Sequence, residues 1–299
     1  MKMLALKVDV DTYRGTREGV PQLVDLFKRH QANATFLFSL GPDNTGRAIK
    51  RVFRPGFLKK VSRTSVVEHY GIRTLMYGTL LPGPDIGRKC ADILRSVQQA
   101  GFEVGIHTWD HIKWQDNVAN KDFSWTEAEM TKAAQRFKEI FGVDAKTHGA
   151  AGWQMNAAAF KIERDLNLTY ASDGRGHSPF WPVADGETIP VLQLPSTLPT
   201  LDELIGLDGW DANNVHEHLL ALTQHEPAHG HVFTLHAELE GMKLIPTLDK
   251  LLQGWKAQGY QLVSTLDLFN ALDKSQFPAI PFQMGEIPGR SGVLFTQGS

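Results

Sequence analysis

The stretch "FEVGIHTWDH", residues 102–111, opens as an apolar run of the kind that forms a buried strand and ends on His107 and His111, four positions apart. On one turn of helix, residues i and i+4 share a face, so two imidazoles at this spacing can close on one metal ion. With 12 histidines in 299 residues, composition alone supplies roughly 0.4 such pairs. The pair therefore carries chemistry only if the rest of the chain brings partners to it.

Outward from this stretch, short apolar runs alternate with amphipathic ones. The runs "MLALKVDV", "ATFLFSL", "FEVGIH", "KTHGAAG", "LTYASD", "VLQLPST", "HVFTLHA" and "QLVSTL" read as strands. Helical patterns such as "VPQLVDLFKRH", "WTEAEMTKAAQRFKEIF" and "IPTLDKLLQGWKAQ" lie between them, and Gly101, Gly142 and Gly259 stand where helix C-caps are expected. Repeated alternation predicts parallel strands joined by crossovers, and seven or eight such units predict an α/β fold of the distorted (β/α)-barrel kind over residues 1–274. Residues 41–84, after the second strand, are too long for a crossover loop and read as an insertion. The Pro- and Gly-bearing residues 275–299 read as an extended tail wrapping the surface.

Composition bounds the class. An apolar fraction of 42% and a charged fraction of 21% fit a globular protein, not a disordered one. The single cysteine, Cys90, rules out an intrachain disulfide and reads as a packed helix residue. The first residues, "MKMLALKVDVDTYRG", are too polar for a signal peptide, and no apolar stretch approaches a membrane span, so a cytoplasmic location is expected.

Barrel enzymes carry their chemistry at the carboxyl ends of strands. The first strand ends in "VDVDT", where strand alternation puts Asp9 and Asp11 on one side. The third ends at His107 with His111 beyond it, the fifth delivers Asp173 and Arg175 in "YASDGRG", and the seventh ends in "TLHAE" with His236. Singly, each has a plain structural reading as a cap, a core histidine or a turn residue. Their coincidence at strand ends points to a site.

"DVD", "HTWDH" and "TLH", in this order, resemble the motifs of the polysaccharide deacetylase family, carbohydrate esterase family four. The resemblance implies a distorted barrel with one divalent metal at its mouth, zinc first and cobalt, nickel, manganese or iron as alternatives. It implies Asp11, His107 and His111 as metal ligands, Asp9 as general base and His236 as general acid. Three nitrogen and oxygen ligands leave open positions for water and a carbonyl oxygen, as a catalytic site requires. Where family members often carry Arg-x-Pro, this chain has "HGAAGWQMN", which leaves the arginine partner of the base unassigned; Arg175 is a candidate. Gly149, Ala150, Ala151 and Gly152 either let backbone approach substrate or pack tightly. Asp173 is expected to orient His236 as a carboxylate behind an imidazole does.

From Arg47 to Pro82, eight Lys or Arg face one acid, Glu68, a local +7 that leaves −9 on the rest of the chain. Arg51, Arg54, Phe57, Lys59 and Lys60 mix cations with apolar side chains there, which suits an anionic bilayer surface; no nucleic-acid module accompanies the patch. Within the family the chain is similar to the deformylase branch, whose substrate is an undecaprenyl-phosphate-linked formamido sugar at the cytoplasmic side of the bacterial inner membrane. Its product serves lipid A modification and resistance to polymyxin and cationic peptides. A soluble amino-sugar deacetylase and a lipid- or sugar-binding barrel are the alternatives.

Overall fold

The computed structural model describes residues 2–48, 71–225, 227–290 and 292–298. Eight parallel strands form one curled sheet: β1 (Met3–Val10), β2 (Thr35–Ser39), β3 (Glu103–Thr108), β4 (Thr147–His148), β5 (Tyr170–Ala171), β8 (Leu192–Gln193), β9 (His231–His236) and β10 (Gln261–Val263). These are the eight runs legible in the sequence. β1 is central, pairing β9 along Leu4–Asp9, β2 along Lys7–Val10 and β10 along Met3–Ala5. Beyond β8 the chain reaches β9 through Thr197, whose N–H donates to the Val232 carbonyl at 3.0 Å, so the curl returns on itself.

β1 is buried on both faces, as crossover-linked parallel strands are. Its even residues Leu4, Leu6, Val8 and Val10 join the large core between sheet and helices. Its odd residues line the concave face. Met3 and Ala5 meet Tyr170, Leu192, Val232 and Leu268 in an apolar floor, and Lys7 and Asp9 follow toward the carboxyl end. One strand thus runs from hydrocarbon to charge along a single face, which is what the alternation of side chains permits.

The helices Val20–His30, Ala91–Gln99, Phe123–Phe141, Ala157–Asp165 and Ile245–Ala257 cover the convex side. Gly142 caps the longest of them at φ 74°, and Gly101 and Gly259 also take positive φ just past their helices. Cys90 is buried at the junction between Ile86–Lys89 and Ala91–Gln99, and burial pushes its thiol up to about 11, so it stays protonated. Among the described residues four short helices escape the periodicity reading, Ile72–Met76, His111–Asn117, Leu201–Leu204 and Thr265–Ala271, each seven residues or fewer and too short for an amphipathic repeat.

The tail departs from its expected role. β11 (Ala279–Gly285) and β12 (Leu294–Gln297) pair with each other, and β11 pairs with β6 (Trp181–Ala184), which pairs with β7 (Glu187–Thr188), giving a second, four-stranded sheet. The tail is extended, but it does not merely wrap the surface, because Phe295 is fully buried against Phe160, Phe180 and Phe282. No helix among the described residues is long and apolar enough to cross a membrane.

Truncating that anchor tests the second sheet. Phe295→Ala is expected to cost about 3–5 kcal/mol of unfolding free energy, measured by urea denaturation.

Candidate active site

At the carboxyl end of β1, Asp11 faces two imidazoles. Its Oδ1 lies 3.2 Å from His107 Nε2 and its Oδ2 lies 3.3 Å from His111 Nε2. The histidines do not share one turn of helix as their spacing suggests. His107 is on β3, and His111 is the first residue of a new helix whose N-cap, Asp110, accepts from the Lys113 N–H at 3.0 Å. The chain turns between them, and the rings still approach to 5.3 Å between centroids.

The donor set fits a cation. His107 Nδ1 is 2.6 Å from the Gly149 carbonyl, which can only accept, so Nδ1 carries the proton and Nε2 presents a lone pair. That lone pair points at a carboxylate oxygen. Neither His107 Nε2 nor Asp11 Oδ1 has a hydrogen-bond partner, although both are buried. Two acceptors face each other at contact distance, an arrangement that an ion between them satisfies. Burial pushes the Asp11 carboxyl upward, but His111, His107 and His236 together outweigh it and hold Asp11 well below the usual carboxylate range.

Asp9 sits one strand repeat below Asp11, its Oδ1 3.9 Å from His107 Nδ1. Its charged neighbour is Lys7, wholly buried, with Nζ 3.4 Å from Asp9 Oδ2. Gly149 makes that possible. A Cβ there would lie 2.9 Å from Lys7 Cε and collide with Leu37, so the bare backbone leaves the lysine its channel. Of the two readings of residues 149–152, the structure shows the tight packing, with Gly149 lying against Leu37 and Lys7. Gly152, at φ 62°, takes a left-handed turn against Gln115. Ala150 and Ala151 are buried.

His236 ends β9 beside β1, in register with Asp9. Burial lowers its affinity for a proton, but Asp202, Asp11, Glu240 and Asp9 raise it further than burial lowers it. Glu240 Oε2 accepts the His236 N–H at 2.7 Å. Glu238 clamps the other strand, since its Oε1 accepts the N–H groups of Asp11 and Thr12 at 3.0 and 2.6 Å and the Thr12 hydroxyl at 2.8 Å. Burial and the nearby Asp11 push Glu238 up to about 8, and burial with Asp202 pushes Glu240 to about 7.

Two expected partners work elsewhere. Asp173 does not face His236, and among the carboxylates that raise the His236 proton affinity Asp202 has the largest effect. It lies instead in a fully buried cluster with His148, Glu163 and Gln193. Its Oδ1 is 2.7 Å from His148 Nδ1 and accepts the Ala150 N–H at 2.8 Å, and its Oδ2 accepts from Gln193 Nε2 at 2.8 Å. Asp173 therefore holds one end of the Gly149–Ala150 peptide, whose other end orients His107. Glu163 Oε1 is also 2.8 Å from His148 Nδ1. Arg175, likewise, does not touch Asp9. It donates to Glu203 at 2.7 and 2.9 Å and to the Leu198 carbonyl at 3.0 Å, and it lies 5.1 Å over the Trp153 ring. Arg290, from the tail, stacks on the same ring at 4.1 Å and shares Glu203 at 2.7 Å.

Lys7, Asp202, Glu238, Glu240, Trp153 and Arg290 are absent from the sequence reading. Lys7 was legible, since it continues the i, i+2 series of Asp11 and Asp9 on one strand face. Arg290 was not, because nothing local connects a residue near the C-terminus to the mouth of the sheet. Arg51, Arg54, Phe57, Lys59 and Lys60 lie outside the described residues.

A parallel sheet with an open His₂Asp set at the strand ends defines a metal-dependent hydrolase, and the chain belongs to the polysaccharide deacetylase family. The family described as "Polysaccharide deacetylase" matches residues 1–171. The chain is 38% identical over 296 residues to a protein of Shewanella sediminis (strain HAW-EB3) named "Probable 4-deoxy-4-formamido-L-arabinose-phosphoundecaprenol deformylase ArnD", spanning 99% of this chain and 95% of that one. A protein of Wigglesworthia glossinidia brevipalpis with the same name is 31% identical, covering 95% and 98%. The crystal structure of a "probable Polysaccharide deacetylase from Pseudomonas aeruginosa PAO1" superimposes with a TM-score of 0.61 at 14% identity, over 90% of this chain and 89% of that one, a likeness of fold.

The buried cluster makes a pH-dependent contribution. Burial lowers the His148 pKa, but Asp173 and Glu163 outweigh it and raise it to about 10, above its ordinary 6.5. The stabilisation is full below 6.5 and is lost as pH rises toward about 10. Glu163, pushed up by burial and by Asp173, acts in the same direction. Urea unfolding of the wild type should therefore weaken across that window, and His148→Gln should flatten the slope.

Proposed function

We propose that this chain removes the formyl group from 4-deoxy-4-formamido-L-arabinose carried on undecaprenyl phosphate. The observation that carries this reading is the 38% identity across nearly the whole chain to a protein named as that deformylase, together with the convergence of Asp9, Asp11, His107, His111 and His236. Asp11, His107 and His111 would hold one divalent ion, zinc by the chemistry of the donor set, with cobalt, nickel, manganese or iron admissible. That ion supplies Lewis acidity at the formyl carbonyl and at the attacking water.

The remaining work belongs to side chains. Asp9, held by Lys7, accepts a proton from water as the oxygen adds to the formyl carbon. The C–N bond of the tetrahedral adduct breaks as His236, which its surrounding carboxylates favour in the protonated form, gives a proton to nitrogen. The products are formate and the free amino sugar. Lys7 takes the place left open by the missing arginine, supplying a fixed counter-charge from the base's own strand. The glutamates that clamp Asp11 and His236 hold the two sides of the reaction in register. The substrate's carrier places the enzyme at the cytoplasmic face of the inner membrane as a peripheral protein. The +7 insertion would contact anionic lipid there, and the amino sugar is destined for lipid A.

Mass spectrometry of the lipid-linked formamido sugar, before and after incubation with protein and metal, tests the reading. Loss of formyl is the expected outcome, and turnover of a water-soluble acetylated sugar alone would favour a deacetylase. Asp9→Asn should retain metal while kcat falls about 10²–10⁴-fold, whereas His111→Ala should lose metal and activity together, as elemental analysis and rate assays will show.

A further inference from the structure

A cavity of about 400 Å³ opens beside the site, between the turn after β1 and the far root of the insertion. Tyr13, Arg17, Arg73, Tyr77 and Lys89 line it, with Asp85 on its wall. Asp85 is already engaged, accepting from Arg136 at 2.6 Å and from the Arg88 N–H at 2.9 Å. Among the described residues Arg17 donates to the Tyr13 hydroxyl at 3.3 Å and lies over its ring, and neither Arg17, Arg73 nor Lys89 has a carboxylate within ion-pair distance. Three exposed cations thus line one cavity without matching acids among the described residues, an arrangement suited to a multiply charged oxyanion.

The cavity is tied to the metal-binding residues. Tyr13 follows Asp11 by two residues, so their Cα atoms are at most roughly 7 Å apart. The Tyr13 N–H donates to Asp43 Oδ2 at 2.9 Å, and the next residue, Asn44, donates to Asp110 Oδ2 at 2.6 Å. Asp110 caps the helix that begins at His111. Ile72, next to Arg73 in the chain, and Leu80, three residues after Tyr77, are 70% and 78% exposed and offer apolar surface near these lining residues.

We infer that this cavity binds the phosphate of a prenyl phosphate, with Arg17, Arg73 and Lys89 on the phosphate oxygens and the first prenyl units along Ile72 and Leu80. The inference rests on the deformylase reading for its substrate, in which the phosphate is joined to the same sugar ring that carries the formamide. A phosphate at the cavity and a formyl group at Asp11 then orient that ring from two ends. The phosphate of a membrane lipid is the other source of the same chemistry.

Calorimetric titration with farnesyl phosphate, with farnesol, and with phosphatidylglycerol vesicles separates these sources. The triple variant Arg17→Gln, Arg73→Gln, Lys89→Gln alters only exposed side chains, and its metal content serves as the check that it is folded. Farnesyl phosphate is expected to bind the wild type, farnesol far more weakly, and the triple variant at least about 10-fold more weakly than wild type. Absence of binding to wild type, or equal binding to both proteins, overturns the inference. A variant that loses only vesicle binding assigns the cations to membrane lipid and also overturns it. If farnesyl phosphate binding depends on the three cations but no formamido sugar is hydrolysed, the cavity stands and the deformylase reading falls.

Discussion

A lysine ammonium lies out of contact with water, 3.4 Å from the carboxylate of Asp9, and the arrangement of the site follows from that burial. Isolated charges in a protein interior cost several kcal/mol each, so neither Lys7 nor Asp9 is tolerable without the other. Both lie on β1, the central strand, on the face that also holds the apolar floor. Satisfying the pair forces the neighbouring strands to present compatible groups at the same height. Leu37 and Gly149 leave room for the lysine stem, and His107 and His236 stand above it.

Around this pair, orientation passes through backbone as much as through side chains. His107 is aligned by the Gly149 carbonyl, and the same peptide is pinned by Asp173, which is itself neutralised by His148. Glu238 and Glu240 do the corresponding work on the opposite side, gripping the N–H groups of Asp11, Thr12 and His236. Desolvation acts to raise the pKa of carboxylates buried this deeply, and hydrogen-bond donors directed at them oppose it, His148 being shared between Asp173 and Glu163. The result is a site in which Asp11 and His107 stand at or just past strand ends and His111 opens a helix, with their supports drawn from the loops beyond.

The second sheet extends this support across the chain. Phe295 anchors the tail in a cluster of aromatic rings, and that anchoring lets Arg290 join Arg175 over Trp153, with Glu203 balancing both guanidinium groups. A segment that looks like a surface strap is in this way a wall of the site. The near root of the insertion is held just as firmly, through Asp43 to Tyr13 and Asn44 to Asp110, which ties residues 43 and 44 to the turn after β1 and to the cap of the His111 helix.

The sequence by itself determined the eight strands, the long helices and the three short motifs, because each rests on local order: alternation on a strand, a 3.6-residue repeat, and residues one or two positions apart. Asp9 with Asp11 is legible for that reason, whereas His107 and His111 are legible as a spaced pair whose meeting depends on the turn between β3 and the next helix. Only the tertiary structure decided which carboxylate faces which imidazole. Asp173 reads in the sequence as the carboxylate behind His236, and the curl of the sheet puts it against His148 instead. Lys7 was within reach of the strand period, but its meaning depends on burial, and burial is a property of the assembled sheet. Arg290, more than fifty residues beyond β9, reached the site only because an aromatic cluster pulled the tail inward, and no period in the sequence encodes a contact of that range.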